Sequence, residues 1–552
     1  MRKILIIGGV AGGATAAARL RSLDENAEII LFERDEHISF ANCGLPYHIG
    51  GKITRREALL LQTPESFRRR FNVDVRVFSE VCEIDRQRKT VEVKSTKTGE
   101  SYSESYDKLV LAPGSSPFLP PISGADAKGV FTLRNVENTD EIINFIRVEK
   151  PESAVIVGGG YIGVEMAENL KNAGLEVSIV ELSPQAIAPL DPDMACDVHH
   201  YLRKSGVRLL LNDAVKAIEQ EEQGLSLTLN DSKIRADLVI MAVGVRPDSR
   251  LAKEAGLDIS PTGGIVVDEH MRTSDTDIYA VGDAVAVTDF VAKTPALIPL
   301  AGPANKQGRI AADHICGINS KYDGTQGSAI LKVFDMTVAT TGVNEKTARR
   351  MGLDYDKVFG WMASHAGYYP GATQMSVKVL FEKGSGKLLG AQIVGFEGVD
   401  KRCDILAVAI RAGMTARDLT TLELCYAPPF GSARDPVNMV GYMIENVVEG
   451  RVKNFHWHDV DSLPRDGSVV LLDVRTPSEN AAGKIDGFMH IPLDELRGRI
   501  SEIPGNKPVY IHCHSGLRSY IACRILQQKG FDCFNLSGGY RLYGSVMADG
   551  KK

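Results

Sequence analysis

Two cysteine segments carry the residue types that could do chemistry. The first is Ser39-Phe40-Ala41-Asn42-Cys43-Gly44-Leu45-Pro46-Tyr47, where Cys43 has no cysteine near it and the position five residues on is His48. The thiol precedes a predicted helix, whose positive end favours a thiolate. Without a neighbouring resolving cysteine, its sulfur must pair with something brought in: oxygen, as a sulfenic acid, or the sulfur of a small thiol. The second segment is His512-Cys513-His514-Ser515-Gly516-Leu517-Arg518-Ser519. A cysteine followed by a glycine-containing loop and an arginine is a place to hold an anionic sulfur species.

These segments sit in a chain of 552 residues, a length that suggests three to four domains, with 44% hydrophobic residues to fill their cores. Lys and Arg number 64 against 70 Asp and Glu, a net charge of −6, and no long basic tract points to nucleic acid or an anionic membrane. Nine cysteines without a regular spacing fit reduced thiols in a cytoplasm rather than a disulfide scaffold. The uncharged stretch 4–18 behind Arg2 and Lys3 imitates a signal peptide. Its glycines fall where a strand should turn into a helix, and it is shorter than the ~20 residues that span a bilayer. A cytoplasmic protein acting on small molecules is expected, with no metal site.

The elements that must position the first cysteine begin at the N-terminus. The pattern predicts a strand over 3–7, a turn over 8–13, a helix over 14–23 and a strand over 28–32 that ends at Glu33. Such a turn and helix start hold a pyrophosphate, and the acid about twenty residues on suits a ribose diol. The match departs from G-x-G-x-x-G at its second glycine, which is Val10. A second and complete match follows the apolar run 154–157, through Gly158, Gly160 and Gly163, a helix carrying Glu165 and Glu168, and a strand ending at Glu181. Two such folds imply two dinucleotides. Glu181 would accept from a free 2′-hydroxyl and repel a 2′-phosphate, so NADH is expected ahead of NADPH.

The apolar segments 109–114 and 240–244 read as crossings between these two folds, and 276–283 as a buried strand ending in Gly282-Asp283. That carboxylate can accept from a polyol. In this order of motifs the chain resembles the pyridine nucleotide-disulfide oxidoreductases over roughly 1–450. The resemblance implies an α/β protein with two Rossmann-like dinucleotide domains of the glutathione-reductase type, the flavin domain split around the nicotinamide domain. It implies FAD on Gly8, Gly9, Ala11, Gly12, Gly13, Glu33, Arg34, Ala112, Gly114 and Asp283. It places the nicotinamide nucleotide on Gly158, Gly160, Tyr161, Ile162, Gly163, Glu181 and Gly244.

Within that family, the single cysteine in Ser-Phe-x-Asn-Cys-Gly-Leu-Pro-Tyr is similar to the coenzyme A disulfide reductases. The NADH peroxidases and oxidases place a histidine where Val10 stands. The segments 365–371 and 424–430 lie in a region that reads as an α+β dimerisation domain, and the same resemblance implies that Tyr368 and Tyr426 enter the active site of the other subunit of a homodimer. There phenols can protonate a leaving thiolate. It also implies coenzyme A contacts at Thr15, Arg19, Ser22, Ser39, Asn42, Asn305 and Arg434, near a basic cluster of Arg68, Arg69 and Arg70. The family's lysine in that cluster has no counterpart here.

After Gly450 a short polar connector leads to strands predicted to end at Asp473, Pro492 and Cys513, a small parallel α/β domain. Through Leu472-Asp473-Val474-Arg475, Cys513-x-x-Gly516-x-Arg518-Ser519 and 536–540, it resembles a rhodanese. Lys484 stands where a histidine is usual. Cysteine phosphatases place five residues between the cysteine and the arginine, and this loop has four, a smaller nest that suits sulfur. The loop N–H groups and the charge of Arg518 are expected to stabilise the Cys513 thiolate.

The expected domains are 1–115 and 246–325 for FAD, 116–245 for NAD(P)H, 326–450 for dimerisation and 459–552 for the rhodanese. The expected activity is NAD(P)H-driven, FAD-dependent reduction of coenzyme A disulfide, persulfide or polysulfide at Cys43, coupled to sulfur transfer at Cys513. The alternatives are an NADH peroxidase or oxidase working through a cysteine sulfenic acid, and a redox sensor without catalysis.

Overall fold

The computed structural model describes residues 2–550, so the outer limits of the first and last expected domains, residues 1 and 552, lie outside the described residues. The chain divides into two compact units, Met1–Ala186 with Gly206–Gly327, and Ile187–Ser205 with Ser328–Lys552. The segment Ile187–Ser205, within the stretch expected to bind the nicotinamide nucleotide, goes with the second unit.

The first unit holds two five-stranded parallel sheets. One runs in the order Ile278–Ala280, Lys108–Leu111, Lys3–Ile7, Glu28–Phe32, Asp74–Arg76. Its three central strands are apolar after their first, charged residue because both faces are covered. Ile4, Ile6, Leu31 and Val110 enter one core cluster, while Leu5, Ile7, Ile30 and Leu109 enter another on the opposite face. The other sheet runs Val207–Leu211, Glu176–Glu181, Ser153–Val157, Leu238–Met241, Val130–Phe131. The first sheet thus takes strands from both sides of the second in sequence, as the two crossing segments predict.

The second unit contains a five-stranded antiparallel sheet in the order Ala329–Val333, Met336–Gly342, Leu388–Gly395, Gln374–Glu382, Tyr355–Ala363. Helices Val399–Arg411 and Pro436–Val448 follow it. Beneath the helix Pro192–Lys204, the fully buried Lys378 ammonium bonds Asp193 at 2.7 Å, Asp191 at 3.1 Å and Glu345, and Lys357 reaches Glu345 at 2.6 Å. With Arg349 also on Glu345 at 2.8 Å, three carboxylates here face three cationic groups, so the buried charges are paired.

The C-terminal region is a parallel sheet, Lys453–Phe455, Cys533–Leu536, Val509–His512, Val470–Asp473, Met489–His490. The expected polar connector is therefore corrected: Lys453–Phe455 is the edge strand of this sheet, and Trp457 donates from Nε1 to Asp193 at 3.3 Å. Its side chains are spent on contacts rather than on reach. Among the described residues no helix is long and apolar enough to cross a membrane.

Candidate redox and sulfur-transfer sites

The two glycine turns of the first unit are built alike. Gly8 and Gly158 adopt φ of +97° and +107°, and a Cβ would lie 2.1 Å from the Ala112 carbonyl oxygen in the first and 2.4 Å from that of Ala242 in the second. A Cβ on Gly13 or Gly163 would strike the carbonyl of Gly8 or Gly158 at 1.9 and 2.0 Å, which brings each helix hard against its turn. Val10 departs from the motif without strain, since its φ is −94°, and the matching Gly160 has φ −73° with open space beside it.

Each turn is then closed by a carboxylate. Glu33 accepts from Gly9 N at 2.9 Å and Asp35 N at 3.2 Å, and Glu181 accepts from Gly159 N at 2.6 Å and Ser183 N at 2.7 Å. Burial pushes the Glu33 carboxyl up. Neither following helix, Ala11–Leu23 or Tyr161–Asn172, has a side-chain cap, so its first-turn N–H groups face outward as anion donors. These turns, carboxylates and donors fit a dinucleotide at each place. Arg34 lies 3.4 Å from Asp248. Gly114 accepts at its carbonyl from Asp248 N, while Ala112 N donates to Ile7 O. Asp283 opens a short turn after the strand Ile278–Ala280, accepting from Ser115 Oγ at 3.3 Å, and burial raises its carboxyl.

Cys43 lies in the single 3-10 turn Asn42–Gly44, just ahead of the five-residue helix Leu45–Ile49. The segment is pinned to the first glycine turn by Ser39, at φ +46°, whose N donates to Gly9 O at 2.8 Å. Cys43 is exposed at the surface, and its surroundings act against the expected effect of the helix end. Partial desolvation, and then the charges of Glu165 and Asp283, push the Cys43 thiol up. His48 points its Nδ1 at Ile53 O, 2.6 Å away. One turn beyond Cys43, the Tyr47 hydroxyl donates to Glu165 at 3.4 Å, and burial raises the Glu165 carboxyl to about 7. Tyr47 and Glu165 were in view in the sequence, but only their pairing draws attention to them.

The residues expected to meet coenzyme A fall into groups. Thr15, Arg19 and Ser22 share the open face of helix Ala11–Leu23, at spacings of four and three. Helix Ala301–Ile315 packs on it so closely that a Cβ on Gly308 would come 2.3 Å from Gly12 O, and it brings Asn305 to Thr15 Oγ1 at 2.7 Å. Arg19 is bound to Asp313 at 2.6 Å, which leaves less of its charge for a phosphate. Ser22 Oγ bonds Arg19 O. Asn42 is exposed beside Cys43. Arg69 and Arg70 are exposed on helix Pro64–Phe71, and Arg68 donates to Val75 O.

In the second unit, Tyr368 and Tyr426 bring their hydroxyls to 3.0 Å, with 76% and 48% of each residue exposed. The hydrogen bond to Tyr426 raises the Tyr368 hydroxyl. Arg434 is exposed next to Asp435, which caps helix Pro436–Val448.

Cys513 is fully buried at the end of strand Val509–His512, and its Sγ accepts from Gly516 N at 3.1 Å with Ser519 Oγ 3.3 Å away. Gly516 reaches this geometry at φ +100°, capping helix Leu517–Gln527. Arg518, expected to add positive charge beside the sulfur, interacts with Cys513 and is at the same time paired. Its guanidinium grips both oxygens of Glu479 at 2.7 Å, and that fork holds the Glu479 carboxyl down at about 2. A backbone N–H thus donates to the sulfur, and beside it lies the Ser519 hydroxyl, whose one proton also has Asn535 Oδ1 in reach at 2.6 Å; the serine was missed as a participant. His512 is buried, which lowers its imidazole to about 4 and keeps it neutral.

The sequence profile of the pyridine nucleotide-disulphide oxidoreductases matches residues 2–308, their dimerisation domain matches 328–436, and a rhodanese-like domain matches 457–545. A coenzyme A disulfide reductase of Staphylococcus epidermidis is 37% identical over 444 residues, 80% of this chain and 99% of that protein. The structure of reduced Bacillus anthracis CoADR-RHD is 51% identical, covers 99% of this chain and 98% of its own, and superposes with a TM-score of 0.97. An NAD-dependent persulfide reductase from A. fulgidus is 40% identical, with 98% and 100% coverage and a TM-score of 0.91. With two dinucleotide turns, a dimerisation sheet and a buried cysteine loop in one chain, the protein belongs to the pyridine nucleotide-disulphide oxidoreductase family and carries a rhodanese-like domain at its C-terminal end.

Proposed function

We propose that the protein uses NADH to reduce coenzyme A disulfide or coenzyme A persulfide at Cys43, and that Cys513 moves sulfane sulfur to or from that thiol pool. The observation that carries the reading is a lone cysteine fastened to the first glycine turn through Ser39 and Gly9, with His48 where a partner thiol would be needed. FAD, when bound at Glu33 and Asp283, supplies the two-electron relay from nicotinamide to the Cys43 sulfur. The similarity to coenzyme A disulfide reductase and to a persulfide reductase supports the thiol rather than the peroxide chemistry.

The residues act on both ends of a disulfide exchange. In the resting enzyme Cys43 is joined to coenzyme A through a mixed disulfide. Two electrons and a proton break that S–S bond, leaving a Cys43 thiolate and free coenzyme A. The thiolate then attacks a fresh disulfide or persulfide, a new S–S bond to Cys43 forms, and the departing sulfur leaves with its electron pair as thiolate or hydrosulfide. Tyr368 and Tyr426 of the partner subunit protonate that leaving sulfur. The open face of Thr15, Arg19 and Ser22 with Asn305, together with Ser39, Asn42 and Arg434, receives the rest of coenzyme A. Glu181 accepts from the ribose hydroxyls and selects NADH.

At Cys513, the thiolate attacks the outer sulfur of a donor, the donor's S–S bond breaks, and the remainder leaves with the electron pair. Gly516 N and Ser519 Oγ steady the sulfur. The same reading assigns 1–115 with 246–325 to FAD, 116–245 to the nicotinamide nucleotide, 326–450 to dimerisation of a cytoplasmic homodimer, and 459–552 to sulfur transfer.

The test is the intact mass of the purified protein with and without reductant, paired with Cys43→Ser. A coenzyme A adduct released by reductant and absent from the variant is expected, as is loss of NADH-driven coenzyme A disulfide reduction with FAD retained. Full turnover by Cys43→Ser would refute the assignment.

A further inference from the structure

The loop that presents Cys513 is held by backbone bonds to the last helix of its own domain. Tyr540 N donates to Cys513 O at 2.8 Å and Arg541 N to His514 O at 2.9 Å. These are N–H groups of the first turn of helix Gly539–Asp549, which no side chain caps. Because a trans peptide points its N–H away from its C=O, bonding these two carbonyls to the helix fixes the turn of the peptide planes that lead to Gly516, whose N–H reaches the sulfur at 3.1 Å. There is no slack in this packing. A Cβ on Gly539 would lie 2.6 Å from the His514 carbonyl oxygen.

The start of that helix is held in turn by the antiparallel sheet of the dimerisation region. Strand Tyr355–Ala363 lies at the edge of that sheet, so its outward N–H groups need partners from elsewhere. Phe359 N donates to Ser537 Oγ at 3.1 Å, and the Trp361 indole Nε1 donates to Gly538 O at 3.1 Å. The Arg541 guanidinium then covers the Trp361 ring at 3.6 Å and bonds Gln374 on the next strand. At its far end the helix is fastened by Asp549 to His199 at 2.6 Å and Arg203 at 2.5 Å. The residues that aim the sulfur loop are thereby tied, bond by bond, to residues of the reductase portion.

We propose that Trp361 is a positioning residue for sulfur transfer at Cys513: through Gly538 it sets the helix start whose N–H groups orient the Cys513 loop, so the dimerisation sheet is a working part of the sulfurtransferase site. The proposal rests on the sulfur-transfer reading of Cys513 given above. It requires no new reactant, because the indole acts only on the loop's orientation. It also makes the Trp361 emission a reporter of the loop, since the chain's other tryptophan is Trp457.

The test uses the full chain with FAD bound. Trp361→Phe keeps a ring under Arg541 and removes the donor. Thiosulfate-to-cyanide sulfur transfer should then lose about fivefold in kcat with little change in KM, the worth of one hydrogen bond. The acidic limb of its pH profile should move upward, because the thiolate is less well held, while coenzyme A disulfide reduction stays at the parent rate. In a Trp457→Phe background, loading Cys513 from thiosulfate should change the Trp361 emission, and Cys513→Ser should abolish that change. An unaltered kcat and pH profile in Trp361→Phe, an emission indifferent to loading, or joint loss of FAD and both activities would each overturn the positioning role. A parent protein without any sulfur transfer would instead overturn the reading of Cys513 itself.

Discussion

The hydroxyls of Tyr368 and Tyr426 stand 3.0 Å apart although 58 residues separate them in the chain. One phenol can donate to the other while the second faces a substrate, so the pair can deliver a proton from a shared hydrogen bond. Removing either hydroxyl should therefore harm the same step. Tyr426→Phe is expected to lower coenzyme A disulfide turnover by about a hundredfold with FAD content and oligomeric mass unchanged, and Tyr368→Phe should add little to it. Steady-state rates of both single variants and the double variant check this; fully multiplicative losses would show independent roles.

A half-buried acid near Cys43 gives a pH dependence with a definite sign. Burial raises the Glu165 carboxyl from 4.5 to about 7, so the folded protein holds that proton more tightly than the unfolded chain does. The stability this contributes is complete below about pH 4.5 and is lost as the pH rises through 7. Glu165→Gln removes the dependence, and the variant should gain on the parent between pH 5 and 8, by at most about 3 kcal/mol. Melting temperatures of the two FAD-bound proteins across that range decide it; a constant difference would contradict the burial argument.

Glu181 closes the second glycine turn by accepting from Gly159 and Ser183. A carboxylate so fixed cannot swing away from a 2′-phosphate. Glu181→Ala should narrow the preference for NADH over NADPH by at least about tenfold, measured as the ratio of kcat/KM values. A parent enzyme that already favours NADPH would reverse the assignment.

The groups nearest the Cys513 sulfur, Gly516 N and Ser519 Oγ, belong to its own loop and helix rather than to the Cys43 region. Cys513→Ser should abolish sulfur transfer from thiosulfate and leave reduction of coenzyme A disulfide within about twofold of the parent, as expected for sites without a shared partner. Loss of both activities would make Cys513 a member of the reductive relay.

How much of this was legible beforehand follows from how local each feature is. The glycine turns, the apolar strands, the isolation of Cys43 and the four-residue interval between Cys513 and Arg518 are all local patterns, and local sterics and alternation settle them. The parallel sheets and their crossing strands followed from the same signals. Which side chain neutralises which charge was decided only by packing between distant elements. Arg518 found Glu479 39 positions away, Glu165 met Tyr47 across 118, and Trp361 reached Gly538 across 177. The same packing pushes the Cys43 thiol up, because desolvation and the charges of Glu165 and Asp283 act against the field of a five-residue helix. Sequence by itself determined which atoms could react and how the backbone would present them. Tertiary structure decided their charge state and their supports, because Coulomb energies and hydrogen bonds depend on distance in space, and no local pattern encodes that distance.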